Sequence, residues 1–146
     1  MKWFSARRAK QILDDGASRA DEQQLEDTLE KRQKILDKVV NSPRLAPYFD
    51  QVASLFQLLQ DYVRGNYREI PWWTLGAIAT ALTYILIPLD AIPDVIPVAG
   101  YIDDVAVLKL CLELIGKDLE SYRRFRRARD DSSSPHTNGF DNTPQA

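Results

Sequence analysis

Twenty consecutive residues, Ile70 to Leu89, carry no charge, with Pro88 near the end of the run and Pro93 and Pro97 just beyond it. A helix apolar all round must be buried on every side, in protein or in lipid. The prolines forbid continuing it as one regular helix. The sequence therefore predicts a helix from Pro71 to Ile87 and a bend over Pro88–Gly100. A second helix runs from Ile102 or Asp103 to Ile115, with Gly116 as its stop. The expected class is all-α: a small helical bundle around an apolar helix–Pro/Asp bend–helix hairpin. No alternating strand pattern, internal repeat or Gly-rich phosphate loop is present.

Length argues against a two-pass hairpin. The first arm, 17 residues before proline intervenes, reaches ~25 Å at 1.5 Å per residue, against ~30 Å of hydrocarbon. The returning arm, Val105 to Gly116, has 12 residues including Lys109 and Glu113 and spans about 18 Å. A single pass fits charge poorly, because Arg64 and Arg68 precede the segment while Lys109, Lys117 and five arginines between 123 and 129 follow it. Three readings stay open: a buried bundle core covered by the Tyr48–Val63 stripe, a dip into one leaflet, or a single crossing. Gly76, Ala77, Ala79, Thr80 and Ala81 suit close helix packing in each.

The rest of the chain supplies amphipathic partners. A basic segment (1–19) leads into an amphipathic helical pair (20–66). The apolar hairpin (67–116), a basic helix (117–130) and a disordered tail (131–146) follow. Leu25, Leu29, Ile35, Leu36, Val39 and Val40 mark one charged helix over 20–40. Ser42 then suits the N-cap of a new helix opening at Pro43. That helix carries Leu45, Tyr48, Phe49, Val52, Leu55, Phe56, Leu59, Tyr62 and Val63 at steps of three and four. Asp50, Gln51, Ser54, Gln57, Gln60 and Asp61 lie opposite. Gly65-Asn66 ends it.

Composition removes several chemistries. A net charge of −2 argues against general nucleic-acid binding, which needs a dominant positive field. One cysteine, Cys111, excludes an internal disulfide framework or a zinc–thiolate cluster and reads as a buried, inert thiol. His136, the lone histidine, lies in the polar tail, remote from any nucleophile–base pair. No small-molecule substrate is indicated. The basic start, Lys2 to Arg8, is not followed by an apolar run of signal length. The expectation is an intracellular, membrane-associated chain with its termini in the cytoplasm.

The bend carries the most specific motif. Pro88-Leu89-Asp90, then Ile92-Pro93-Asp94-Val95-Ile96-Pro97, then Gly100-Tyr101-Ile102-Asp103-Asp104 resembles the signature of the YkvA-like family, a group of domains of unknown function. The likeness spans about Pro71–Ile115. It departs at Ile87, where the family usually has a small polar residue. The resemblance implies membrane association and a membrane or membrane protein as partner, without implying a reaction.

Physically, Asp90, Asp94, Asp103 and Asp104 fit caps and turns. Each adjoins a proline, a glycine turn or a helix start, where backbone donors lack partners. Arg64, Arg68 or Arg123 could pair with them if they are buried. A divalent ion such as Mg²⁺, Ca²⁺ or Mn²⁺ is the sharper alternative, and no other cofactor is indicated. Trp72 and Trp73, together with Arg123, Arg124, Arg126 and Arg127, are candidates for contact with a membrane surface. The expected function is a non-catalytic, membrane-associated helical module binding a partner protein or lipid. The alternative is a metal-dependent, membrane-proximal enzyme using the aspartates.

These readings separate in a melting scan. If the four aspartates act as backbone acceptors, Asp→Asn is tolerated better than Asp→Ala, each lost cap costing ~1 kcal/mol. Divalent ions then leave the melting temperature unchanged. A metal-dependent rise in wild type that every Asn variant abolishes would favour the metal site.

Overall fold

Within the uncharged segment Trp72–Ile85 forms a helix, and protein covers it. A computed structural model describes residues 2–86 and 104–133, with side chains at 7–86 and 105–130. It contains α1 (Lys2–Arg19), α2 (Glu22–Glu30), α3 (Arg32–Asn41), a 3₁₀ turn (Ala46–Tyr48), α4 (Phe49–Val63), α5 (Trp72–Ile85), α6 (Asp104–Leu114) and α7 (Gly116–Ser133). No strand occurs among the described residues. The chain divides into two compact units, residues 1–115 and residues 116 onward.

In the first unit α5 is the central helix. Thr74 through Ala79, Ala81, Leu82 and Ile85 are all buried. Its main cover is α1, which also packs on α6, while α5 and α6 pack on each other. Ala9, Leu13 and Ala17 recur every four residues on α1 and are buried, whereas Arg8, Asp15 and Arg19 on the opposite face are exposed. The expected cover, the Tyr48–Val63 stripe, has a different role. α4 packs mainly on α2 and α3 and touches α5 only slightly.

Small residues let α1 and α5 approach closely. A Cβ added to Gly76 would lie 2.7 Å from Ala17 Cα and 3.1 Å from the Cβ atoms of Ala17 and Ala20. A Cβ added to Gly16 would overlap Thr80 Oγ1 and lie 2.6 Å from Thr80 Cγ2 and 2.8 Å from Thr80 Cβ. Rotating the threonine gives no relief, because its own Cβ is among the clashing atoms. Thr80 Oγ1 is itself occupied, donating to Gly76 O at 2.8 Å.

The predicted single helix over 20–40 is two helices. Lys31, at φ −88° and ψ 7°, breaks it. A straight 20-residue helix would run about 30 Å, longer than the 15-residue α4 and 14-residue α5 on which this stretch packs. The bend keeps both halves on the core, burying Leu25 and Thr28 from one and Ile35 and Val39 from the other. Val40, expected on the apolar face, is exposed. Asp21 caps α2, its Oδ1 accepting from Gln24 N at 2.9 Å.

Ser42 closes α3 and does not cap a helix at Pro43. The chain instead passes through the 3₁₀ turn, with Pro47 inside it, before α4 starts at Phe49. On α4 the stripe residues Val52, Leu55, Phe56 and Leu59 are buried, but so are Leu58 and Asp61. Contact with both α2 and α3 widens the buried face beyond one stripe. Gly65 ends α4 as expected, at φ +83°. Asn66 N donates to Asp61 O at 2.8 Å and Gly65 N to Tyr62 O at 3.0 Å, the paired bonds of a Schellman motif.

Gly116 is not a terminal stop. Ile115 is the turn and Gly116 opens α7, the described part of the second unit. That helix continues to Ser133, past Arg129 and into residues assigned from sequence to the tail.

The crossing generates a size test. Gly16→Ala should lower stability by ~1–3 kcal/mol through overpacking, against a gain of up to ~1 kcal/mol in helix propensity. Thr80→Ala, which removes two of the three clashing atoms, should restore part of the loss in the double variant. Denaturant titration measures all four proteins. A Gly16→Ala variant as stable as wild type would contradict the close approach.

Candidate functional site

Pro88, Asp90, Pro93, Asp94, Pro97, Gly100, Tyr101 and Asp103 lie outside the described residues. The predicted bend, and its caps or metal ligands, fall there with them. Asp104 is placed by its backbone as the first residue of α6. Among the described residues, no group of three or more His, Cys, Asp or Glu is arranged to hold a metal ion.

The two adjacent tryptophans point to different surroundings. Pro71 precedes α5 with φ −63° and ψ 144°, an extended conformation that starts the helix at Trp72. Trp73 is half-buried and turned toward α1, its Nε1 donating to Asp14 Oδ1 at 2.9 Å. Lys10 donates to the other oxygen, Oδ2, at 2.8 Å, and its Nζ lies 6.0 Å from the centre of the Trp73 ring. The Lys10 hydrogen bond, aided by Trp73 and by the positive charge, holds the Asp14 carboxyl below its usual range, against an opposing pull from desolvation. Asp14 is the residue that sequence reasoning missed. Its signal was the Lys10/Asp14 spacing of four beside the Ala9-Leu13-Ala17 stripe, but nothing in the sequence couples either to Trp73.

Trp72 is 38% exposed. Its ring lies 6.2 Å from that of Tyr62, tilted by 59°. The Arg68 guanidinium lies 4.4 Å from the centre of the same tyrosine ring. Arg68 Nη1 also approaches Glu22 Oε2 at 3.9 Å, both side chains being more than half exposed. The supporting loop is fixed by the Schellman bonds, by buried Tyr67 and by an Asn66 Nδ2–Asp61 Oδ1 contact of 3.4 Å.

Arg123, Arg124, Arg126 and Arg127 all lie on α7. Arg124 and Arg127 are exposed, and Arg123 and Arg126 are half-buried. The Tyr122 and Phe125 rings are 6.2 Å apart and nearly parallel. Arg129 lies 5.2 Å from the Phe125 ring centre, and Arg127 Nη2 is 3.8 Å from Glu120 Oε2. Tyr122 is fully buried and Phe125 half-buried.

Cys111 is fully buried on α6, and burial pushes its thiol up to about 12. It is therefore a neutral, inaccessible thiol rather than a nucleophile. An open groove of about 530 Å³ is lined by Arg7, Lys10, Gln11, Asp14 and Asp15 on α1 and by Leu110 on α6. It carries both charge signs.

Comparison with known proteins adds a relationship without a reaction. Residues 74–110 match the family described as a protein of unknown function, DUF1232. They extend from the first turn of α5 into α6. The chain is 44% identical over 75 residues to the uncharacterized membrane protein YkvA of Bacillus subtilis (strain 168), a match covering 51% of this chain and 71% of that one. No solved structure matches the chain.

Proposed function

Because the chain belongs to the YkvA-like family of unknown function, DUF1232, we propose that it is a non-catalytic helical module attached to an anionic membrane surface through α7. The observation that carries this reading is the cationic surface of α7, where Arg124 and Arg127 are exposed while Tyr122 is buried and Phe125 half-buried. Exposed cations of this kind are drawn to anionic bilayer surfaces, where each contributes about 1 kcal/mol. The name of the Bacillus subtilis relative, a membrane protein, supports the setting.

Attachment by a surface helix also suits the first unit. The apolar surface of α5 is already covered by α1 and α6, so lipid would have to displace packed protein to reach it. Among the described residues, no helix is long and apolar enough to cross a membrane. The inert Cys111 and the mixed-charge groove favour a binding role over a catalytic one.

Vesicle co-sedimentation tests the proposal. Binding should require anionic phosphatidylglycerol and should weaken as salt rises, because the Debye length shortens. Arg124→Gln/Arg127→Gln removes two exposed cations and should weaken binding by roughly 30-fold, at about 1 kcal/mol for each charge. Equal binding to neutral vesicles, or indifference to the double substitution, would contradict it.

A further inference from the structure

We infer that Tyr62, Arg64, Arg68 and Trp72 form a second membrane contact, an interfacial anchor on the first unit that inserts the Trp72 indole among lipid headgroups. This rests on the membrane reading above and deepens it by naming a contact of different chemistry.

Rigidity and exposure coincide at this patch. Trp72 is 38% exposed although it opens the most deeply buried helix of the fold. Both elements that flank the indole are fixed. The Schellman motif and buried Tyr67 hold the loop on one side, and α5 holds the other. Tyr62 supports the assembly from beneath. Its ring is 6.2 Å from Trp72 and lies 4.4 Å under the Arg68 guanidinium. Exposed Arg64 extends the same edge. Pre-ordered aromatic side chains bind without losing much rotamer freedom.

The chemistry fits a bilayer interface. Trp and Tyr concentrate there because an apolar ring carries a polar edge, and flanking arginines reach phosphate oxygens. Charge is nearly balanced locally. Against Arg64 and Arg68 stand Glu69, next to Arg68 in sequence, and Glu22, 3.9 Å from Arg68. The indole rather than net charge therefore supplies the hold, so this contact differs from α7 in being insensitive to salt. Trp73, its neighbour in sequence, takes no part, because its N–H is engaged by Asp14.

The test uses the full chain and Trp72→Phe, with mixed phosphatidylcholine/phosphatidylglycerol vesicles carrying bromine near the headgroup or deep in the acyl chain. Because Trp72 is exposed, the phenylalanine variant should fold with an unchanged circular dichroism spectrum. Wild-type tryptophan emission should be quenched most by the shallow bromines, and Trp72→Phe should lose most of that quenching. Trp72→Ala should weaken vesicle binding several-fold, by the same factor at low and high salt. Bound wild type whose shallow quenching is unchanged in Trp72→Phe would overturn the anchor and leave the α7 reading standing. A wild type that binds no vesicles would overturn both.

Discussion

The close crossing of α1 and α5 is the contact on which the rest of the first unit depends. Gly16, Ala17 and Ala20 meet Gly76 and Thr80 at distances where one added methyl group would collide with backbone or with a Cβ. Helices that approach this closely gain many weak dispersion contacts along their length. They also remove from water a helix with no polar face of its own. Leu75, Ile78, Leu82 and Ile85 are fully buried, and burying a side chain of that size contributes about 1.5–3 kcal/mol. Without α1, much of that surface would face solvent or lipid.

The same crossing sets what the surface presents. Docking α1 turns Trp73 toward Asp14 and Lys10, converting one half of a tryptophan pair into an inter-helix hydrogen bond. The other half, Trp72, is left at the edge beside Tyr62 and Arg68. One-residue rotation around α5 therefore separates a structural indole from an exposed one. Apolar character concentrated near residues 70–89 goes into the protein core as far as the described residues reach, and α7 carries the exposed Arg124 and Arg127.

Much of this arrangement was legible in the sequence. The absence of charge from Ile70 to Leu89 located α5, the steps of three and four located α4, and Gly65 marked a left-handed stop that only glycine takes easily. What covers α5 was misread. The strongest amphipathic stripe, on α4, looked like its partner, but helix pairing depends on shape as well as hydrophobicity. The Ala9-Leu13-Gly16-Ala17-Ala20 spacing is less hydrophobic than the α4 stripe and better fitted to close approach. The break at Lys31 was invisible because no proline or glycine marks it; the length of the neighbouring helices imposes it. For the candidate site, Trp72, Trp73 and the α7 arginines were recognisable by type, while the Asp14–Trp73 bond joins residues 59 apart and leaves no local pattern. The aspartate motif at 90–104 was the most specific string, yet residues up to Asp103 lie outside the described structure.

If α1 is what encloses α5, the two must open together. Native-state hydrogen exchange read by mass spectrometry measures this directly, since each amide reports the free energy of the opening that exposes it. Amides at 9–17 in α1 and 75–82 in α5 should exchange with the same free energy, close to that of global unfolding. Amides at 9–17 that exchange freely while 75–82 stay protected would contradict it, showing that α5 is held by something other than α1.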